Sequence, residues 1–339
     1  MNSRVINFVA GGGKTTYSRD YMLNNNGGIY IAFTNSVVND MRDAGLLSLT
    51  ISSLFSSFIL PKMLSHIPLI ASGSKIIYSD DKMLGCITIK EDGRLFNGST
   101  ENMVVSLNTQ NEDLHKMNTP GNSLFHLKKI FGPNSTSLNH QQRDSLSWFL
   151  LEKYPEKILS IISSRFDYVI IDEAQDIKKG FMQKFAELLY DSDIKLILIG
   201  DPYQNVNGGS DWFEKLKFTD EVKTQSHRCP DGICSWIREN LHIEIYGNGG
   251  SGSCEKIKHE DVFTHDDGTK PLLYCQNNNF SKRYIEKWCG PKSTIKSIKG
   301  STINSDVVII GKTMNAKNLY TAITRTTKNA YFAIEEIKI

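Results

Sequence analysis

The chain has 339 residues, enough for two or three compact units, and its 40% hydrophobic and 22% charged content is ordinary for a globular protein. Its 39 Lys and Arg against 37 Asp and Glu give a formal net charge of +2, which excludes a generally basic coat for nucleic acid. Six scattered cysteines without C-x-x-C spacing are expected to be reduced thiols rather than a zinc site or disulfides.

Targeting and membrane segments are not expected. The N-terminus lacks a charged-then-apolar signal and runs into a glycine-rich stretch within ten residues. The least polar long segment, 54–71, is interrupted by Pro61, Lys62, His66 and Pro68. The sequence therefore predicts a soluble protein that is neither secreted nor membrane-spanning.

Strands and helices alternate over the first sixty residues. An apolar run at 5–9 precedes three glycines and a helix-like segment at 17–23. The next elements are a buried strand at 29–33, a helix at 36–44, a third strand at 47–51 and an apolar helix at 54–60. This alternation predicts a parallel sheet covered on both faces.

The first of these turns has the composition of a phosphate-binding loop. Consecutive glycine N–H groups at a helix N-terminus form an anion nest, Lys14 would reach the β- and γ-phosphates, and the Thr15 hydroxyl would bind Mg²⁺. Phe8 takes the place of the first glycine of G-x-x-x-x-G-K-[ST], so only the second half of that pattern is intact. A glycine turn followed by a chance Lys-Thr is the structural alternative. The residues predicted to bind the phosphates here are Ala10, Gly11, Gly12, Gly13, Lys14, Thr15 and Thr16.

The regular pattern is interrupted between 61 and 157, which we interpret as an insertion into the first domain. Segments 86–90 and 94–96 predict a hairpin, and 97–138 is polar and predicted to be rich in loops. Alternation resumes with a strand at 166–171, a helix at 177–189 and a strand at 194–199. From about 218 a second domain is predicted, with strands at 271–275, 307–310 and 330–334, helices at 280–288 and 315–323, and a flexible loop at 248–253.

Acidic residues follow the strand at 166–171. An apolar strand ending in Asp172 and Glu173 suits a Mg²⁺-nucleotide site, in which Asp172 holds the metal and Glu173 orients and deprotonates water. Solvated acids at a strand end are the alternative for an isolated Asp-Glu pair. Gln204 follows the next strand, where an amide can contact both γ-phosphate and water.

These motifs, in this order, resemble the core of a superfamily 1 helicase of the UvrD/Rep type. The run 10–15 resembles motif I, 32–42 motif Ia, 170–176 motif II and 198–204 motif III. The segment at 50–60 is similar to the strand-helix motif that follows motif Ia. Segments 225–228, 294–310 and 319–328 look like motifs IV, V and VI. Any one match could be accidental, but the ordered set spans nearly the whole chain.

The resemblance implies an α/β fold with two RecA-like P-loop domains and an irregular insertion in the first. Residues 1–60 and 158–217 would form domain 1, 61–157 the inserted subdomain, and 218–339 domain 2. ATP and Mg²⁺ are the implied cofactors, and the second domain would supply Arg228 and Arg325 to the γ-phosphate. His227 occupies the position of an aromatic residue that stacks on adenine.

The family's nucleic-acid contacts carry over to eight positions. Hydroxyls, amides and an aromatic ring suit sequence-independent binding of one strand. A core aromatic residue at a strand end is the alternative for Phe33. The sequence departs from the UvrD type just after Gln204, where Trp212 or Phe213 would have to supply the stacking ring. The predicted strand-binding residues are Phe33, Thr34, Asn35, Ser52, Ser53, Trp212, Thr294 and Lys296.

The leading hypothesis is an ATP-dependent helicase that moves on single-stranded DNA, 3′-to-5′ by resemblance, located in the cytoplasm or wherever the nucleic acid is replicated. The same motifs V and VI also resemble viral RNA helicases, so RNA stays open. A nucleotide-gated switch that clamps nucleic acid without processive unwinding is the second class, and a small-molecule P-loop enzyme the third.

About 65 residues between motifs IV and V imply a compact, phage- or virus-sized motor. It is expected to be a monomer, with a replication or repair protein as candidate partner.

Overall fold

The computed structural model describes residues 3–63, 154–206, 208–216, 219–275 and 279–338, with the short stretches 77–78, 87–89, 94–97, 103–106, 137–138, 147–148 and 150–151. The chain divides into two compact units. The first contains Met1–Ser3, Asn25–Ile170 and Ile177–Leu196, and the second Arg4–Asn24, Ile171–Asp176 and Ile197–Ile339. The domain boundaries stated above divide the chain by motif, and they stay a prediction.

The strands and helices of the described residues are numbered in chain order. The strands are β1 (Arg4–Phe8), β2 (Gly28–Ala32), β3 (Ser48–Thr50), β4 (Ile77–Tyr78), β5 (Ile87–Ile89), β6 (Arg94–Asn97), β7 (Met103–Ser106), β8 (Ser137–Leu138), β9 (Tyr168–Ile171), β10 (Lys195–Gly200), β11 (Glu221–Lys223), β12 (Cys254–Lys256), β13 (Leu272–Tyr274), β14 (Lys292–Thr294), β15 (Val307–Asn315) and β16 (Ala330–Lys338). The α-helices are α1 (Lys14–Asn24), α2 (Asn35–Asp43), α3 (Ile51–Leu54), α4 (Leu60–Met63), α5 (Pro155–Ser163), α6 (Phe181–Tyr190), α7 (Asp231–Leu241), α8 (Asn279–Ile285) and α9 (Ala316–Ile323). A π-helix covers Phe55–Ile59, and 3₁₀ turns cover Ala174–Asp176, Pro202–Gln204, Phe213–Lys215 and His259–His265.

The first unit contains the neighbouring strands β9, β2 and β3, and the second contains β11, β1 and most of β10 in that order. In the second unit, β1 pairs in parallel with both β10 and β11, and Ile6 lies opposite Ile199 on one side and Glu221 on the other. Val5, Ile6 and Phe8 are at most 3% exposed, as expected of a parallel strand covered on both faces. Because β1 and β10 are parallel neighbours, the loops that follow them leave from the same edge of the sheet.

In the first unit, local capping explains where two helices begin. Thr50 Oγ1 accepts a hydrogen bond from the Ser53 N–H at 3.1 Å, so helical structure starts at Ile51, three residues before the predicted start. The helix predicted from 177 begins instead at Phe181, because Gly180 precedes it with φ +97°. The ring of Phe55 packs edge-on against a ring of this helix at 5.1 Å.

The second sheet, in the order β12-β16-β15-β13-β14, is parallel throughout. Alternate residues face opposite sides: Leu273 and Ile309 pack into the core that includes α7 and α9, whereas Leu272 and Ile310 pack with Trp288. The strands β15 and β16 are each nine residues long, well beyond their predicted ends. The prediction of an α/β fold with two parallel sheets is confirmed.

The inserted region is described only in part. Its predicted hairpin is confirmed, since β5 and β6 pair antiparallel with Ile87 opposite Asn97. A third strand, β7, joins them from a stretch predicted to be loop. The remainder of the predicted insertion up to 153 lies largely outside the described residues. Its last residues begin α5, a helix that the sequence did not predict.

Two composition-based predictions can be examined over the described ranges. None of their helices is both long and apolar enough to cross a lipid bilayer. The cysteines in those ranges are all free, whereas Cys86 lies outside them. The free cysteines are Cys229, Cys234, Cys254, Cys275 and Cys289.

Candidate nucleotide site

The contacts among the candidate nucleotide-site residues all lie within the second compact unit. The loop between β1 and α1 has the geometry that its glycines predict. Gly11 and Gly13 have φ angles of +71° and +86°, in the left-handed region that residues with a side chain rarely adopt. The N–H of Gly12 donates to the Val9 carbonyl at 3.0 Å, which closes the turn. The helix α1 begins at Lys14, three residues earlier than predicted, so the loop lies directly at a helix N-terminus.

The segment 226–228 is held tightly against this loop. The Ser226 hydroxyl donates to the Ala10 carbonyl at 2.7 Å, and the His227 N–H donates to the Gly11 carbonyl at 2.9 Å. A Cβ on Gly11 would lie 2.7 Å from Arg228 Cβ and 2.8 Å from Ser226 Oγ. Gly11 is therefore required by two constraints, its backbone angle and this close approach.

Replacing Gly11 with alanine should therefore destabilise the protein more than the same change at Gly45. Both glycines have positive φ, but a Cβ on Gly45 would meet no atom of the described residues within 4 Å. Gly45→Ala carries only the left-handed strain, about 1–2 kcal/mol, and should lower Tm by roughly 2–4 °C. In Gly11→Ala the new Cβ would also overlap with Ser226 and Arg228. We therefore expect at least twice the loss of Tm and roughly tenfold weaker ATP binding. Equal Tm losses in thermal unfolding would contradict the close approach.

The acids predicted to act on water lie beside the loop lysine. Lys14 Nζ is 3.6 Å from a carboxylate oxygen of Glu173, and Gln175 Nε2 donates to the other oxygen. Burial raises the pKa of Glu173, but the charges of Lys14, Lys299 and Arg325 and the Gln175 hydrogen bond outweigh it and hold the pKa at about 2. Glu173 is therefore a carboxylate at neutral pH, the form that accepts a proton.

Glu173 also has an uncommon backbone conformation. Its φ is +53°, and among the described non-glycine residues one other, His242, also has a positive φ. Its N–H donates to Asp172 Oδ1 at 2.7 Å, which fixes the orientation of this turn. Backbone strain of this kind is concentrated at functional sites, where the surrounding structure holds it in place.

The donor types fit the magnesium ion predicted from the sequence. Thr15 lies in the first turn of α1 beside Lys14, and Asp172 immediately precedes Glu173, so the two predicted ligands adjoin the same ion pair. A hydroxyl and a carboxylate are hard oxygen ligands, and Mg²⁺ in nucleotide sites needs only one or two protein ligands beside phosphate and water. A cluster of three or more acidic, His or Cys side chains does not occur among the described residues.

The two predicted arginines have different environments. Arg325 is 2% exposed, and it donates from NH2 to Gln204 Oε1 at 2.7 Å and from Nε to the Thr321 carbonyl at 3.0 Å. Burial and the charge of Arg228 lower the pKa of Arg325 to about 10, so it stays charged at neutral pH. Within the part of the chain that the structure describes, the Arg228 guanidinium makes one long contact, 3.5 Å from NH1 to the Ser301 carbonyl, and its buried Nε has no hydrogen-bond partner.

The charge of Arg228 acts on Arg325, and the guanidinium of Arg228 has no strong acceptor among the described residues. Such a pair of positive groups is suited to binding a polyanion. The structure brings Gln204 and Arg325, which were each predicted to contact the γ-phosphate, into direct contact with one another. Lys299 was not predicted: its Nζ contacts Asp176 Oδ1 at 2.6 Å and the Gln204 carbonyl at 2.9 Å. The available signal was a lysine immediately before Gly300 in the motif V segment.

His227, the predicted adenine-stacking residue, is exposed beside the loop. Its ring Cδ2 lies 3.7 Å from the position that a Cβ on Gly13 would take. Thr16, also predicted to bind ATP, is exposed in the first turn of α1.

The predicted strand-binding residues fall in both units. In the first unit, Thr34 and Asn35 are exposed, whereas Phe33, Ser52 and Ser53 are half-buried. In the second, Trp212 is half-buried, Lys296 is exposed, and Thr294 Oγ1 accepts from the Ser297 N–H at 3.2 Å. Their role in binding nucleic acid stays a prediction.

The sequence matches a family model described as the viral superfamily 1 RNA helicase core domain over residues 129–333, more than half of the chain. A search of curated proteins found no significant match. Among solved structures, the PRRSV helicase matches with a TM-score of 0.47 and 13% identity, covering 98% of this chain and 52% of that one. The arterivirus nonstructural protein 10 helicase, solved with DNA, matches with a TM-score of 0.48 and 12% identity, covering 98% and 60%. The chain thus spans little more than half the length of these proteins.

Proposed function

The chain belongs to the viral superfamily 1 RNA helicase family, and from that premise we propose that it is an ATP-driven motor that moves along single-stranded nucleic acid and separates duplexes. The family consists of NTP-hydrolysing helicases, so the superfamily 1 resemblance is confirmed at that level. One observation supports the proposal above the others: residues from four separate motifs form one network within one unit. Lys14 pairs with Glu173, Arg325 bonds Gln204, and hydrogen bonds through Gln175 and Asp201 join the two pairs.

Each of these residues has a chemical role in phosphoryl transfer. Lys14 would bind the β- and γ-phosphates at the N-terminus of α1, and Glu173 would orient and deprotonate the attacking water. Arg228 and Arg325 would neutralise the charge that develops on the γ-phosphoryl oxygens. Thr15 and Asp172 would hold Mg²⁺, whose charge offsets that of the phosphates.

We expect nucleotide binding to change the partner of Glu173, which is paired with Lys14. A γ-phosphate would compete with Glu173 for Lys14, because both are anions within reach of one ammonium group. Glu173 would then lose its contact with Lys14 and could bind a water molecule instead. ATP binding would in this way prepare the base for its task.

We propose single-stranded RNA as the track, because the family model describes RNA helicases. Single-stranded DNA, which the resemblance of segments 32–42 and 319–328 to UvrD-type motifs favours, is the second candidate. A polarity of 3′-to-5′ rests on the same resemblance. A monomeric state and a replication or repair protein as partner are further proposals.

Steady-state ATP hydrolysis with single-stranded RNA, single-stranded DNA or duplex DNA tests this function. We expect at least roughly tenfold stimulation by one single strand, with Glu173→Gln as the control that removes protein-dependent hydrolysis. Duplexes with a 3′ or a 5′ single-stranded tail would then report polarity under multiple turnover. Hydrolysis that no strand stimulates would contradict the motor and support a nucleotide-gated switch.

A further inference from the structure

Tyr320 has a buried hydroxyl with two partners. It lies on α9, five residues before Arg325, and its side chain is fully buried. Its hydroxyl oxygen accepts a hydrogen bond from the Ala10 N–H at 2.9 Å and donates one to Asp201 Oδ2 at 3.1 Å. A buried phenol is satisfied by one partner, so two partners on two different loops constrain the direction of the hydroxyl as well as its position.

The hydrogen bonds continue from Asp201 to Arg325. Asp201 Oδ2 also accepts from Gln204 Nε2 at 2.6 Å, and Gln204 Oε1 accepts from Arg325 NH2 at 2.7 Å. An unbroken series therefore runs from the peptide of Ala10, through the Tyr320 hydroxyl and the Asp201 carboxylate, to the amide of Gln204 and the guanidinium of Arg325.

The donor and acceptor chemistry fixes the direction of every bond in this series. A guanidinium only donates and a carboxylate only accepts, so the Gln204 amide can satisfy both with a single orientation. The Tyr320 hydroxyl must use its one proton on Asp201, which leaves its lone pairs for the Ala10 N–H. Reversing any single bond would leave a buried polar group unsatisfied.

Asp201 itself is fully buried and is held by the protein. Besides Tyr320 and Gln204, the Tyr203 N–H donates to Asp201 Oδ1 at 3.0 Å. Burial raises the pKa of Asp201 above its ordinary value, and the charge of Lys14 and the three hydrogen bonds offset this rise only in part. A buried carboxylate with this many donors orients its neighbours and has no need of a further ligand.

We propose that Tyr320 is a positioning residue for ATP hydrolysis: its hydroxyl ties the phosphate loop at Ala10 to the carboxylate that orients Gln204 and, through Gln204, Arg325. This inference rests on the proposed function and deepens it. A nucleotide that shifts the loop at Ala10 moves the Tyr320 hydroxyl, and the change reaches Gln204 and Arg325 by way of Tyr320 and Asp201, neither of which is predicted to contact the substrate.

Tyr320→Phe removes the hydroxyl and keeps the ring, so it separates positioning from packing. We expect kcat for ATP to fall about 10- to 100-fold, whereas KM and the affinity for ATP change less than about threefold. Tyr203→Phe is the matched control, because its ring packs edge-on against Tyr320 at 5.8 Å while its hydroxyl lies outside the series. That variant should keep kcat within about twofold.

A double-mutant cycle identifies the route of the effect. If Tyr320 acts through Gln204, Tyr320→Phe should cost little further activity in a Gln204→Ala background. Additive losses, a parallel rise in KM, or an unchanged kcat in Tyr320→Phe would each overturn the inference and leave the proposed function standing. A wild-type protein that hydrolyses no ATP with any strand would overturn the proposed function and this inference with it.

Discussion

Glu173→Gln should reduce the maximal rate of ATP hydrolysis by about 1000-fold or more and leave ATP binding nearly unchanged. A carboxamide keeps the size of the side chain but cannot take a proton from water, and general-base loss alone is worth roughly 10²–10⁴ in rate. The ion pair with Lys14 also disappears, so the lysine becomes fully available to phosphate. A fluorescent ATP analogue would measure binding, and stopped assays would measure turnover.

The same variant should alter how stability depends on pH. The folded-state pKa of Glu173, about 2, lies below its ordinary value of 4.5, so its carboxylate contributes stability above pH 4.5 that is lost as the pH falls towards 2. Glu173→Gln should flatten acid unfolding in that window. Glu187→Gln, in α6, is the matched control for turnover and should leave the rate of hydrolysis unchanged. Near-normal turnover in Glu173→Gln would refute the assignment of the base.

Arg325→Ala should reduce turnover by about 10³-fold or more and also lower stability. An arginine that stabilises phosphoryl transfer contributes roughly 10³–10⁵ in rate. Its removal leaves Gln204 Oε1 without its donor in a buried site, at about 1–3 kcal/mol, whereas the Thr321 carbonyl still accepts from the Thr324 hydroxyl at 3.2 Å. Steady-state kinetics and chemical denaturation measure the two effects separately.

Two comparison variants separate charge from folding in this experiment. Arg325→Lys keeps a positive charge but cannot make both hydrogen bonds, so we expect a stable protein with turnover between those of wild type and Arg325→Ala. Arg228→Ala should lose turnover with little change in stability, because the contact of its guanidinium with the Ser301 carbonyl is long. If Arg325→Lys turned over at the wild-type rate, a bidentate role for this guanidinium would be wrong.

Local patterns were enough to predict much of the nucleotide site. The glycine loop, the acids after β9 and Gln204 after β10 each follow a buried apolar strand, and strand ends of one parallel sheet meet at one edge. Arg325 was predicted only through the order of the motifs. Nothing in its own neighbourhood distinguishes it from a solvated surface arginine.

The residues that were missed acquire their role through distant contacts. Ser226 meets Ala10 across 216 positions, and Lys299 meets Asp176 across 123. A serine in a loop or a lysine before a glycine has no local periodicity that would reveal such a partner.

The nine-residue lengths of β15 and β16 were missed for a related reason. Their second halves, with Lys312 and Glu336, are polar, and they are strands because they pair with each other.

The pairing of β1 has a consequence for how the molecule is made. Arg4 lies opposite Ile197, and the loop after β1 reaches its last partner at Tyr320. During synthesis this apolar strand leaves the ribosome long before β10 and α9 are made, and contacts of such long separation form slowly. The glycine loop is thus translated well before its partners, and the candidate nucleotide site can be completed only after Tyr320 has been added to the chain.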